Sequence, residues 1–210
     1  MIATVPVVHI VDDDKSFRTS VGRLVKASGW RSAGYGSGAE FLAELPITEP
    51  GCLVLDLQMP GLNGLELQAR LAEAAPALPI VFLTGQGNIE ATVCAMKAGA
   101  DDFLEKSASS SAFLAAIQSA IARCQARATA HERTVALQAL VASLTKRESV
   151  VFRLVVRGKR NKQIAYELGT SERTVKAHRR SIMEKLNARS LAEVVSIAER
   201  LGLLAEPPAT

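Results

Sequence analysis

The sequence predicts a doubly wound α/β sheet of five parallel strands, followed by a small all-α bundle of four helices. Three observations predict it. Short apolar runs stop at acids, a hydroxyl or an ammonium, with helix-period segments between them. Closely spaced, well-capped helical patterns then crowd the last third of the chain. The charge divides at the same place: residues 1–123 carry nine Lys and Arg against thirteen Asp and Glu, whereas residues 124–210 carry sixteen against eight.

The first strand is the β-branched run Val7-Val8-His9-Ile10-Val11, which stops at Asp12 and Asp13. A helix over Lys15 to Ser28 follows and ends at Gly29, and Arg31 to Tyr35 supplies a short second strand. Cys52-Leu53-Val54-Leu55 stops at Asp56, and Ile80-Val81-Phe82-Leu83 stops at Thr84. The weaker run Asp102-Phe103-Leu104 ends near Lys106. Helices over Leu65 to Ala74 and Ile89 to Ala98 fill the intervals, the second ended by Gly99. Runs that are apolar on both faces suit strands covered by helices on each side.

The cluster Ser109 to Ser111 can cap another helix, with Phe113, Leu114, Ile117, Ile121 and Cys124 at helical spacing. From there to Ser143 the chain is helix-compatible. It predicts either one helix of ~35 residues, about 50 Å long, or two helices broken between Ala128 and His131. Thr145 to Glu148 reads as a capping box opening a helix that stops at Gly158. Asn161 reads as the cap of a second helix ending at Gly169, and Ser171 as the cap of a third carrying Val175, His178, Ile182 and Leu186 on one face. Ser190 to Glu193 reads as a further capping box, opening a fourth helix that ends at Gly202. The expected organisation is 1–122, a helical linker over 123–143, and a helix-turn-helix bundle over 144–206.

Composition excludes other classes. Apolar residues make up 48% of the 210, enough for packed cores, and no apolar run approaches the ~18 residues of a membrane span. Met1 to Ile10 lacks the basic and small-residue features of a secretory signal. Cys52, Cys94 and Cys124 have no metal-ligand spacing and are expected as reduced, buried thiols of a cytoplasmic protein. An acidic front half and a basic back half imply two roles, the second beside a polyanion.

In a doubly wound sheet, ligands bind where strands end, and four of the five strands here end in Asp12 with Asp13, Asp56, Thr84 and Lys106. Three carboxylates converging in one crevice raise one another's pKa unless a cation neutralises them. Their hard oxygens suit Mg²⁺, which can also be shared with a phosphate. A hydroxyl and an ammonium complete a site for phosphoryl oxygens. Asp56 is then the natural nucleophile, forming an acyl phosphate.

These residues resemble the receiver domain of two-component response regulators over residues 5 to about 122. The matching motifs are Val11-Asp12-Asp13-Asp14, Asp56-Leu57-Gln58-Met59-Pro60-Gly61, Leu83-Thr84-Gly85, and Lys97-Ala98-Gly99-Ala100 through Lys106. The resemblance implies a flavodoxin-like fold, strand order 2-1-3-4-5, with Asp56 phosphorylated by a sensor histidine kinase. It implies Mg²⁺ held by Asp12, Asp13, Asp56 and the backbone carbonyl of Gln58. Thr84 and Lys106 would meet the phosphate, and Thr84 and Phe103 would act as the switch. The family pattern continues after the lysine with proline and an aromatic; Ser107 and Ala108 stand there instead. A cis bond before a non-proline costs ~2.5–4 kcal/mol, so a trans loop is expected.

A helix-turn-helix lays its second helix in the major groove. The third helix of the back half presents Arg173, Lys176, Arg179, Arg180 and Lys185, with Lys162 on the helix before it. Leu144 to Glu148, Gly158, Asn161 to Ala165, Thr174 to His178 and Lys185-Leu186 resemble the LuxR-type output domain. With Val8 to Val11 and Thr84-Gly85-Gln86-Gly87, the whole is similar to the NarL/FixJ family. The resemblance implies base contacts from Lys176, Ala177 and Arg180. It implies phosphate contacts from Lys162, Thr174, Arg179 and Lys185, and dimer contacts from Val194, Val195 and Ala198. His178 has no carboxylate or cysteine partner by spacing, and neither His9 nor His131 is given a chemical role.

The expected function is a response regulator that dimerises on promoter DNA after phosphorylation and engages RNA polymerase. A metal-dependent phosphatase would need a second acid near Asp56, but Leu57 and Gln58 follow it, so Asp56 does not open an Asp-x-Asp nucleophile motif. Control of the receiver by something other than phosphate is the third reading, kept open by Ser107-Ala108.

Overall fold

A computed structural model describes residues 5–85 and 89–204. Gln86 and Gly87 of the Thr84 motif, and residues 205–206 of the expected output domain, lie outside the described residues. The chain divides into two units between Ala128 and Thr129.

In the first unit, β1 (Val7–Val11), β2 (Arg31–Tyr35), β3 (Gly51–Asp56), β4 (Ile80–Thr84) and β5 (Asp102–Glu105) form one parallel sheet in the order β2-β1-β3-β4-β5. This is the expected flavodoxin-like order. Alternation along each strand feeds two apolar layers. Val8, Ile10, Cys52, Val54, Val81 and Leu83 face α1 (Lys15–Ala27) and the first turns of α5 (Ser110–Ala142). Val11, Leu53, Leu55, Ile80 and Phe82 face the opposite layer, formed with α2 (Gly38–Leu42), α3 (Gly64–Ala74) and α4 (Ile89–Lys97). The helix α2 carries no sequence expectation; with five residues it is too short to show a period.

Register brings the strand ends together. Val11 pairs with Leu55, so Asp12 follows β1 where Asp56 closes β3, and Thr84 pairs with Glu105, next to Lys106. Gly64 lets α3 start hard against this edge: a Cβ there would lie 2.5 Å from the Asp56 carbonyl oxygen and 3.0 Å from Leu57 Cα. Asn63 caps α3: its side chain accepts from the Glu66 N–H, and the Glu66 side chain accepts from the Asn63 N–H.

Of the two alternatives for residues 110–142, the unbroken one is found: α5 is a single 33-residue helix. It contains neither glycine nor proline, and Ser109 Oγ accepts from the Ala112 N–H at its start.

The second unit packs α6 (Lys146–Val156), α7 (Asn161–Glu167), α8 (Glu172–Lys185) and α9 (Leu191–Arg200) around one core. Leu144, Val151, Phe152, Ile164, Val175, Ile182 and Leu186 are buried there. The turn between α7 and α8 runs through Gly169 at φ +61°, a left-handed position that glycine adopts without a side-chain clash. Thr145 with Glu148 forms the expected capping box, and Ser171 accepts from the Thr174 N–H.

Two caps differ from expectation. Asn161 is the first residue of α7 rather than its cap; Gln163 Oε1 reaches back to the Arg160 N–H at 2.8 Å, leaving Asn161 Oδ1 to accept from Arg179. Ser190 accepts from the Glu193 N–H, but the Glu193 carboxylate goes to the Arg189 N–H, so the box is only half made.

Candidate functional site

The edge where β1, β3, β4 and β5 end holds the acid pocket. One oxygen from each of Asp12, Asp13 and Asp56 lies within 4.8 Å of the others. Asp12 and Asp56 are buried and Asp13 is exposed, so the cluster opens on one side. Asp14, the third acid of the run, turns away to cap α1, its Oδ1 accepting from the Ser16 and Phe17 N–H groups.

Lys106 Nζ bridges the pocket, 2.9 Å from Asp56 Oδ2 and 2.6 Å from Asp12 Oδ2. The first contact is a hydrogen bond; at Asp12 Oδ2, which is fully buried, the ammonium is a charge partner lying off the hydrogen-bonding direction. Asp12 Oδ1 accepts from the Asp14 N–H at 2.8 Å, and Asp56 Oδ1 accepts a long 3.3 Å bond from the Gln58 N–H. One ammonium therefore serves two buried carboxylates, with a third alongside.

The electrostatics follow. Burial pushes the Asp56 carboxyl above its ordinary pKa and the Asp12 charge adds to this, more than the Lys106 bond offsets. Burial alone would lower Lys106, but Asp12 and Asp56 together raise it. The lysine stays charged while the acid beside it is held in a disfavoured form. Asp12, Asp13 and Asp56 thus fit a hard divalent cation: three oxygens converge, one buried oxygen has no aligned donor, and one lysine does not neutralise them.

Thr84 is buried at the end of β4, its carbonyl accepting from the Lys106 N–H at 2.7 Å. Phe103 is half-buried and stacks on Phe82, centroids 6.0 Å apart. The Lys106–Ser107 bond is trans, as expected; among the described residues the cis peptide is Leu45–Pro46. Ala108 lines a cavity of about 260 Å³ with Phe17, Leu24 and Phe113 beside Lys106. Among the cysteines Cys52 is buried, but Cys94 is exposed and Cys124 half-buried, because both sit on outward positions of their helices.

In the second unit the outer face of α8 is polar. Thr174, Lys176, Ala177 and Arg180 are exposed, as is Lys162 on α7, while Val175 and Ile182 anchor the inner face. Arg179 Nη1 donates to Asn161 Oδ1 at 2.6 Å, and Arg180 Nε to Glu184 at 2.9 Å. Lys176, Arg179, Arg180 and Arg189 line an open cleft of about 580 Å³. Spacing alone does not point to Arg189, which lies outside the recognition helix, or to Tyr166, which is 93% exposed on α7. His178 is half-buried.

Three of the expected residues are engaged within the unit itself. Lys185, expected on DNA phosphate, donates to Glu148 Oε2 at 2.7 Å. Glu148 is only 6% exposed and also accepts from Ser181 Oγ and the Thr145 N–H, so Lys185 closes an internal network. Lys185 first, then the Thr145 and Ser181 donors, hold the Glu148 pKa down at about 2. Val194 and Ala198, expected at a dimer surface, are 1% and 0% exposed within the unit's own core. They lie on the side of α9 that faces α6, and of the three only Val195 reaches the surface, half-buried.

A parallel sheet with a strand-end acid cluster, in one chain with a helix-turn-helix bundle, defines a receiver joined to a DNA-binding domain. Residues 8–118 match the response regulator receiver domain, and residues 142–198 the luxR family of bacterial regulatory proteins. The chain belongs to the NarL/FixJ family of response regulators, and it is a transcription regulator with a LuxR-type DNA-binding domain. Nodulation protein W of Bradyrhizobium diazoefficiens is 41% identical over 97% of this chain and 89% of its own. The transcriptional regulatory protein FixJ of Azorhizobium caulinodans is 37% identical over 97% and 96%. Among solved structures, the response regulator StyR aligns over 94% of this chain and all of its own with a TM-score of 0.83 at 44% identity. No helix among the described residues is long and apolar enough to cross a membrane.

Proposed function

We propose that Asp56 accepts a phosphoryl group from the phosphohistidine of a sensor kinase, and that this controls DNA binding by the second unit. The observation that carries the reading is the imbalance at the strand ends: three carboxylates converge, the Lys106 ammonium pairs with two of them, Asp12 and Asp56, and the Asp56 pKa is raised. A carboxylate so placed is stabilised by anything that brings positive charge, and it can act as nucleophile once that charge is present. In the transfer, the P–N bond of the donor breaks as a P–O bond to Asp56 forms. Lys106, charged through neutral pH, pairs with the phosphoryl oxygens, and the Thr84 hydroxyl and Phe103 form the switch. Asp12, Asp13, Asp56 and the Gln58 carbonyl would hold Mg²⁺, which would supply neutralisation of the phosphoryl charge.

The output reads DNA through Lys176, Ala177 and Arg180 at base edges, with Lys162, Thr174 and Arg179 on phosphates. The protein acts in the cytoplasm as a homodimer on promoter DNA, in contact with RNA polymerase. Residues 1–122 receive the signal, 123–143 link, and 144–206 read. The direct test is treatment with a small phosphodonor and Mg²⁺, followed by intact-mass measurement. Wild type gains one phosphoryl group; equal incorporation by Asp56→Asn would overturn the assignment.

A further inference from the structure

A second charged site lies on the face of α1 that turns toward the edge strand β2. Lys15, Arg18, Thr19, Gly22, Arg23 and Lys26 are three or four residues apart and share one face. With Ile10, Ser32 and Gly34 they wall a groove of about 410 Å³ between α1 and the edge strand β2. The unit around it is acidic, yet five of the nine basic residues before Arg127 fall between positions 15 and 31.

The fold does not account for this stripe. Among the described residues, no carboxylate lies within ion-pair distance of Lys15, Arg18, Arg23 or Lys26; the pair in this region is Arg31 with Glu49. Glu40, which lies with Arg18 beside Gly36, is held by the Gly36 N–H. The first turn of α1 carries Lys15 and no acid, and the negative charge at this helix N-terminus comes from the Asp14 cap. Like charges three apart at Lys15 and Arg18 disfavour the helix, whereas Lys26, in the last turn, suits the helix C-terminus. The groove floor is kept open by absent side chains: a Cβ at Gly34 would meet nothing within 4 Å, and one at Gly22 only Ser32 Oγ and Ile10.

We propose that this groove binds a small, multiply phosphorylated anion of nucleotide size. Its volume suits a small ligand, and its concavity does not suit the convex backbone of a duplex. Two arginines offer forked donors to phosphate and two lysines add point charges. The cations extend over about 16 Å of helix from Lys15 to Lys26, so the charges on the ligand are spread rather than single. The Thr19 and Ser32 hydroxyls sit among them for a sugar or second phosphate. Arg18 Nη1 donates to the Asp12 carbonyl at 2.5 Å, which ties the groove to the backbone of the acid pocket.

The test is calorimetric titration of the full chain with ATP, with adenosine as the uncharged control and a non-specific DNA duplex as the polymer control. ATP binds and adenosine does not. Arg23→Ala/Lys26→Ala weakens ATP binding at least about tenfold. Gly34→Val, which fills the floor and keeps every charge, does the same. Both variants still take up one phosphoryl group from a phosphodonor, which verifies the fold without touching the pocket residues. Three results would each overturn the site: no ATP binding by wild type, ATP binding unchanged in Gly34→Val, or a loss of duplex binding in the variants as large as the loss of ATP.

Discussion

Two buried carboxylates, one in each half of the molecule, behave in opposite ways. Glu148 in the DNA-binding half has its acceptors filled by the Thr145 N–H, Ser181 Oγ and Lys185 Nζ, and its pKa falls to about 2. Asp56 in the receiver shares its ammonium with Asp12, accepts one long backbone bond, and its pKa rises. Both carboxylates are hidden from solvent, but burial is the largest influence on Asp56 and pushes it up, whereas at Glu148 the Lys185, Thr145 and Ser181 donors outweigh it. A buried charge with every acceptor met belongs to the fold, and one left short of partners is held ready for a ligand or a reaction.

The largest expected effect is a difference of sign. Glu148→Gln lowers the melting temperature of the DNA-binding half, whereas Asp56→Asn, which removes one repelling charge, leaves the receiver as stable or more so. Calorimetry of the two variants checks this, and a fall in both would break the contrast. Acid sharpens it. Glu148 has a depressed folded pKa, so its contribution is complete above the ordinary value of 4.5 and is lost as pH falls from there toward about 2. Asp56 has a raised folded pKa, so its protonation favours the folded receiver on acidification, and that contribution fades as pH rises through the folded value. Unfolding followed from pH 6 to 3 therefore shows the DNA-binding half losing a contribution that the receiver gains.

Smaller effects separate surface from core. Lys176→Ala, on the outer face of α8, weakens specific DNA binding by ~1–3 kcal/mol and leaves stability within about 0.5 kcal/mol. Lys162→Ala instead lowers the salt slope by about one, as loss of a phosphate contact should. Affinity measured across a salt series distinguishes the two, and equal slopes for both variants would reverse the assignments. Smaller still, Mg²⁺ at about ten times its Kd stabilises the chain by ~1.4 kcal/mol, and Asp13→Asn removes most of that gain in a thermal-shift titration.

How much of this was legible depended on how local each signal is. β1, β3 and β4 are buried apolar runs that stop at Asp12, Asp56 and Thr84, and the partly buried β5 ends next to Lys106, so these four residues could be read in order. The five-residue α2 could not, having less than two turns. Glu148 was visible as a cap because Thr145 is three residues away; Ser181 and Lys185, 33 and 37 residues away, depend on packing that spacing does not encode. Val194 and Ala198 show the same limit: an apolar pair four apart marks a face of α9, but not whether it meets the core or a partner.

The central claim is that chemistry at the crowded acid governs the half in which charges are already settled. The most direct measurement is the affinity for a selected duplex, at fixed salt, of wild type and Asp56→Asn, each with and without phosphodonor and Mg²⁺. Tighter binding on phosphodonor treatment in wild type, and none in Asp56→Asn, is the predicted result. The same affinity for phosphorylated and unphosphorylated wild type would contradict it.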